Sequence, residues 1–227
     1  MCGRFSLGVD TDRLVAEFGP GAAELPHAPR FNVAPTQDVA AVALGPEGLR
    51  FGTLRWGLVT ADSPGPGRRP LINARAETVA HRPSFAQAFR HRRCWVLADG
   101  FYEWANDGDG ARVPWHVSLP DGRPFAFAGV WDRWEGEGGP LLTCAILTTR
   151  PTPSVARVHD RMPVILPHDQ RETWLRPGTE PGHLEALLRP FPGELRVERV
   201  STRVNSVAND DPTCREPLAA APETSRS

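Results

Sequence analysis

The sequence predicts an α+β fold with a mostly antiparallel, barrel-like β core and short flanking helices. Two observations carry this. Short apolar runs recur between Gly, Pro and Asp punctuation, which is the signature of strands. Helical spacing appears only in scattered short segments, without the regular strand–helix alternation of a parallel α/β sheet.

In chain order, VDTDRLVAEFG has Asp10 or Thr11 as a cap, apolar residues at helical spacing and Gly19 as a stop, and predicts a short helix. Strands are predicted at VAAVAL (39–44), LRFGTLRWGLV (49–59), CWVLA (94–98), PWHVSL (114–119), PFAFAGVW (124–131), LLTCAILTT (141–149), MPVIL (162–166) and LRVERVST (195–202). Helices fit 84–92, 152–157, 168–175 and 181–188. ADSPGPGRRP (61–70) reads as a mobile Pro/Gly loop, and EPLAAAPETSRS (216–227) as a disordered tail behind a single domain over 1–215.

The chain has 227 residues, 40% hydrophobic and 23% charged, within the ordinary range of soluble globular proteins. It has no long apolar run and no signal-peptide pattern, so the expected compartment is the cytoplasm, with no membrane partner. A net charge of −1 excludes a global electrostatic pull toward nucleic acid, so any such partner must be held by a local patch. All 26 basic residues counted as Lys or Arg are arginine, which leaves the N-terminal α-amine as the only primary amine. The four cysteines, Cys2, Cys94, Cys144 and Cys214, lack paired metal-ligand spacing, so no metal and no cofactor is expected. Cys94 and Cys144 lie inside apolar runs and read as core residues.

Four stretches place polar groups where stability alone does not ask for them: MCGRF, LINARAET, ADGFYEW and VHDRMP. Cys2 is either a structural cysteine or, once Met1 is removed, a terminal 1,2-aminothiol. With an α-amine pKa of about 7.7–8.0 and a thiol pKa of about 8.5, such a pair is partly neutral amine and partly thiolate near neutrality. It condenses with an aldehyde to an imine, and then, by attack of the tethered sulfur, to a five-membered thiazolidine.

Glu103, among aromatics just past an apolar strand, is either a surface carboxylate or a general acid/base raised by its apolar setting. Asn73 and Arg75 share one face of an extended segment and suit oxyanion or phosphate contacts, although Glu77 could equally pair with Arg75. His159, at a turn before Asp160, Arg161 and Pro163, is a candidate proton carrier. His27, His81, His91, His116, His168 and His183 have no such company.

MCGR, RWGL, NARAET, DGFYEW and HDRMP, in that order, closely resemble the signature blocks of the SRAP (SOS response-associated peptidase, or abasic site processing) family. A C-terminal match falls at Ser206 to Asn209. The resemblance implies the SRAP fold and a monomeric protein of the DNA damage response, active at the bacterial nucleoid. It implies binding of single-stranded DNA containing an abasic site, and a thiazolidine crosslink from Cys2 to the ring-opened sugar, slowly reversible, that shields the lesion during replication. By position, Cys2 is the nucleophile, Asn73 orients the terminus, Glu103 handles protons and His159 assists ring opening. Arg4, Arg75 and Arg161 would bind flanking phosphates, and Asn32, Pro35 and Trp56 would line the DNA groove with aromatic surface for stacking. Leu97 departs from the proline often found before ADG, a change expected at a strand edge. The resemblance implies a peptidase label that refers to removal of Met1 and allows a lyase activity, and nothing predicts cleavage of other proteins.

Two rival readings stand beside this one. An N-terminal-nucleophile amide hydrolase would use the Cys2 thiolate against an amide. A non-covalent reader of damaged or modified DNA would need arginine and aromatic contacts and no Cys2 chemistry.

Overall fold

An uninterrupted apolar run such as CWVLA (94–98) needs cover on both faces, because successive side chains of a strand point to opposite sides. The computed structural model describes residues 2–66, 70–106 and 110–218, and in it the run is covered on both. Trp95 and Leu97 pack into one hydrophobic cluster with Leu14, Phe85, Phe89 and Trp174 from the helices. Cys94, Val96 and Ala98 pack into a second with Cys2, Phe5, Trp56 and Phe101.

Among the described residues the strands are β1 (Phe5–Leu7), β2 (Arg30–Val33), β3 (Asp38–Gly45), β4 (Gly48–Trp56), β5 (Asn73–Arg75), β6 (Arg93–Ala98) and β7 (Gly100–Asn106), followed by β8 (Arg112–Ser118), β9 (Phe125–Gly136), β10 (Gly139–Thr149), β11 (Met162–Pro163), β12 (Ile165–Leu166) and β13 (Arg196–Arg199). The helices are α1 (Thr11–Phe18), α2 (Pro83–His91), α3 (Pro153–Ala156), α4 (Arg171–Leu175) and α5 (Pro181–Leu187). Their ends follow local chemistry. The Asp10 side chain accepts from the Arg13 N–H to cap α1, which stops at Gly19 with φ of 90°, and Thr152 caps α3.

Strands β4, β3, β6, β9 and β10 close on themselves. Pairings β3–β4, β3–β6, β6–β9 and β9–β10 are antiparallel, and β10 completes the ring by a parallel pairing with β4 at Thr143↔Arg55 and Cys144↔Trp56. The expected barrel-like core is therefore a closed five-stranded barrel, and closure leaves those strands without an open edge. A second, wholly antiparallel sheet runs β13–β8–β7–β1–β2.

The far end of β10 positions the site. Beyond the β4 contact it is flanked by β5 on one side, at Ile146↔Asn73 and Thr148↔Arg75, and by β11 on the other, at Thr148↔Pro163. The stretch carrying Asn73 and the turn carrying His159 thus border the same strand end. Strand β1 lies against β7 at Phe5↔Phe101, and the Tyr102 N–H donates to the Arg4 carbonyl, which draws the start of the chain alongside Glu103.

Several expectations are corrected. The run 162–166 is two strands on different partners, β11 on β10 and β12 on β9, and the switch falls at Val164, whose N–H donates to the Leu147 carbonyl of β10 while its carbonyl accepts from the Ala128 N–H of β9. The segment 168–175 begins as a 3-10 turn, His168–Gln170, before α4. Leu97 is fully buried on β6 and pairs with Ala126 of β9, one residue past the end of the β3 register at Val96. The tail does not begin at 216. Ser201 N–H donates to the Glu216 carbonyl and Leu218 N–H to the Arg199 carbonyl, and Val200 bridges Pro217. Residues 219–227 lie outside the described residues. So do 67–69 of the Pro/Gly loop, whose described part is anchored where Trp134 Nε1 donates to the Ser63 carbonyl and the Ala61 N–H to Asp132. No helix among the described residues is long and apolar enough to cross a membrane.

Candidate active site

Cys2 is fully buried, contrary to the loose terminus its position suggests, and belongs to the hydrophobic cluster around Phe5 and Trp56. Burial, and secondarily the Glu103 carboxylate, push its thiol well above the ordinary range. The partial thiolate expected of a free aminothiol is therefore suppressed. The Cys2 carbonyl accepts a 2.7 Å hydrogen bond from Asn73 Nδ2, while the Asn73 Oδ1 is buried and has no partner among the described residues.

Glu103 lies just past the apolar strand β6, in the next strand β7, and is 3% exposed. Burial raises its carboxyl to about 7, so it titrates near neutrality. Its Oε2 lies 3.8 Å from His159 Nε2. Burial also lowers the His159 pKa, which favours the neutral ring. The Arg161 N–H approaches His159 Nδ1 at 2.9 Å, and the Asp160 carboxylate and Arg161 carbonyl lie 3.0 and 3.2 Å from the same nitrogen, while Nε2 faces Glu103. Cys2, Asn73, Glu103 and His159 are thus brought together from the chain start, β5, β7 and the turn before β11.

The arginines divide. Arg75 is exposed on β5. Arg161 is held by Glu77 through a two-pronged pair at 2.7 and 2.9 Å and by the Thr148 carbonyl at 2.6 Å, so Glu77 pairs with Arg161 rather than Arg75. Arg4 donates to Asn32 Oδ1 and the Val204 carbonyl, and its guanidinium lies 5.8 Å from the centre of the Trp104 ring.

Asn32 is fully buried, and its amide donates to the carbonyls of Val204, Ser206 and Asn209. It holds the C-terminal segment rather than presenting a face to solvent. Trp56 is likewise fully buried, its indole N–H donating to the Ile72 carbonyl and its ring 5.1 Å from that of Phe5. The aromatic surface expected of it for base stacking is used inside the core. Pro35 is partly exposed beside Thr36, a non-glycine residue with φ of 72°.

Sequence reasoning missed three things here. Arg112 on β8 lies near enough to Glu103 and His159 to favour their less protonated forms. Trp104, directly after Glu103, is half-exposed and fixed by Asn205 Oδ1. His116, which has no company in the sequence, packs at a tilt against Tyr102 and contacts Ser6 Oγ at 3.2 Å in a buried network where Asp99 binds Ser6, the Gly8 N–H and Arg215. Burial drives its pKa down to about 3, so it stays neutral. Of the three, only Trp104 falls in a stretch singled out in the sequence, ADGFYEW. Among the described residues no cluster of His, Cys, Asp or Glu could hold a metal ion.

The family model for SOS response associated peptidase (SRAP) matches residues 1–207. Abasic site processing protein YoqW of Bacillus subtilis is 38% identical over 219 residues, covering 93% of this chain and 97% of that protein. Abasic site processing protein HMCES of Gallus gallus is 34% identical over 192 residues, 73% of this chain and 56% of that protein. A crystal structure of a protein from Bacteroides thetaiotaomicron superposes with a TM-score of 0.81 at 22% identity, covering 96% of this chain and all of that one, a likeness of fold.

Proposed function

Because the chain belongs to the SOS response associated peptidase family, we propose that it processes abasic sites by crosslinking to them in single-stranded DNA through the amine and thiol of Cys2. The observation that carries this reading is the Asn73–Cys2 hydrogen bond beside a carboxyl titrating near neutrality.

Removal of Met1 turns the Cys2 nitrogen from an amide into an amine. The unpartnered Asn73 Oδ1 then accepts a hydrogen from that amine and leaves its lone pair for the substrate. His159 Nε2–H passes its proton to the ring oxygen of the abasic sugar as the C1–O bond breaks, while Glu103 takes the C1-hydroxyl proton and restores one to Nε2, which leaves the aldehyde, a C4 hydroxyl and a neutral ring. The amine adds to the aldehyde carbon, Glu103 takes the nitrogen's proton and returns it to the departing hydroxyl, and water leaves to give an imine. The Cys2 sulfur adds to the imine carbon while its proton passes to nitrogen, closing the thiazolidine. Because the thiol is kept protonated by burial, the amine acts first.

The same suppression of thiolate counts against an amide hydrolase that opens with sulfur attack. Exposed Arg75 is the best-placed phosphate contact, with Arg4 and Arg161 meeting phosphates only by sharing their present partners. Arginine contacts make the encounter salt-dependent; the covalent product is not.

The test is incubation with a single-stranded oligonucleotide carrying one abasic site, followed by denaturing electrophoresis and intact mass. A heat-stable adduct that lacks the Met1 mass and is absent for Cys2→Ala is the expected result. No adduct from protein whose Met1 is gone would overturn the reading in favour of non-covalent recognition, and a hydroxylamine-labile thioester would favour the hydrolase.

A further inference from the structure

Glu77 lies outside the four converging groups, yet it makes the two-pronged pair that holds Arg161. The pair joins two pieces of chain. Glu77 follows the Asn73-bearing strand β5 by two residues, and Arg161 ends the His159 turn. Both pieces also meet on one atom, the Thr148 carbonyl, which accepts from the Ala76 N–H at 2.8 Å and from Arg161 at 2.6 Å.

The His159 ring needs such a hold. Its Nδ1 has three polar neighbours: the Arg161 N–H at 2.9 Å, the Asp160 carboxylate at 3.0 Å and the Arg161 carbonyl at 3.2 Å. The first requires a bare Nδ1, and the other two would be served by a protonated one. Glu103 faces Nε2 from β7, and Arg112 adds positive charge from β8. The Arg161 N–H is the shortest of the three contacts, and its direction depends on where the Arg161 side chain is anchored.

We propose that Glu77, acting through Arg161, is a positioning residue that locks the His159 turn to the Asn73 strand and keeps the imidazole proton on Nε2, toward Glu103 and the reacting sugar. The functional part of this proposal rests on the crosslinking reading above; the tautomer part does not. The hydrogen-bonded Arg161, with a smaller contribution from Arg75, holds the Glu77 carboxyl below the ordinary range, so it remains an anion throughout the working pH range.

The test compares wild type, Glu77→Gln and Glu77→Ala. Ring-nitrogen NMR of His159 reports the tautomer. Crosslinking at saturating abasic-site DNA reports the chemical rate, and binding of the same DNA in a Cys2→Ala background reports affinity. Glu77→Ala is expected to mix the ring tautomers and to slow crosslinking about tenfold at saturation, the size of loss that misplacement of a reacting group produces. Affinity is expected to stay within about twofold of wild type, as positioning without loss of a DNA contact requires. Glu77→Gln, which keeps one acceptor for Arg161, should fall between. Unchanged ring-nitrogen signals and rate in both variants would overturn the proposal, as would a loss confined to affinity. If the wild-type protein forms no crosslink, the crosslinking reading fails by itself, and the NMR comparison still decides whether Glu77 sets the tautomer.

Discussion

Asn73 Nδ2 donates to the carbonyl of Cys2 across 2.7 Å, joining a residue of β5 to the start of the chain. The contact fixes the one backbone unit whose nitrogen the proposed reaction uses, and its companion atom, Oδ1, is left buried and unpartnered beside it.

Asn73→Ala is therefore expected to slow crosslinking by about 10- to 100-fold, since an amine free to wander forfeits the advantage of a held nucleophile. Single-turnover gel kinetics at saturating DNA measure this, and an unchanged rate would remove Asn73 from the site.

Glu103 sets a pH dependence of both rate and stability. Its carboxyl titrates at about 7, so the base form, and with it the rate of imine formation, should rise with pH through that value. A Glu103→Gln variant should lack this limb.

The stability effect runs in the opposite direction. A carboxyl whose folded pKa is raised from 4.5 to about 7 binds its proton more tightly when folded. The wild type is then favoured below about pH 4.5 and loses stability as pH rises to about 7, by roughly 3 kcal/mol in all. Thermal unfolding from pH 4 to 9 should show Glu103→Gln gaining on the wild type over that window, and parallel curves would exclude the raised carboxyl.

Trp56→Ala should cost about 3–5 kcal/mol of folding stability, because the ring is wholly enclosed and its N–H bonded. Urea unfolding measures it. If the variant folds as well as wild type and loses only DNA affinity, the residue serves the ligand and not the core.

Arg75→Gln, in a Cys2→Ala background, should lower the slope of log affinity against log salt by about 1, as loss of one phosphate contact requires. Fluorescence anisotropy between low and moderate salt gives the slope, and no change would assign the exposed guanidinium to no phosphate.

Much of this was legible in the sequence where local chemistry is strong. Asp10 and Gly19 mark α1, and the long apolar strands of the barrel declare themselves by burial on both faces. The strands β1 and β2 were not legible, and β5 only as an extended segment without a partner: each is three or four residues long and exists because a neighbour offers it a ladder. For the same reason Glu103 could be identified as unusual among aromatics but not placed in a strand beside the chain start.

The sequence by itself determined the chemical inventory: an amine and thiol one residue from the start, a carboxyl among aromatics, an amide and guanidinium on one face, and an imidazole at a turn. Short-range rules suffice for that, since residue type and spacing carry the signal. Only the tertiary structure decided which of these groups meet and in what state. The parallel pairing of β10 with β4 and β5 and the packing of β1 on β7 unite residues from four separated stretches. Burial then shifts the Cys2 thiol and Glu103 upward and withdraws Asn32 and Trp56 into the interior. Long-range pairing and desolvation depend on what surrounds a residue, and its neighbours in sequence do not specify that.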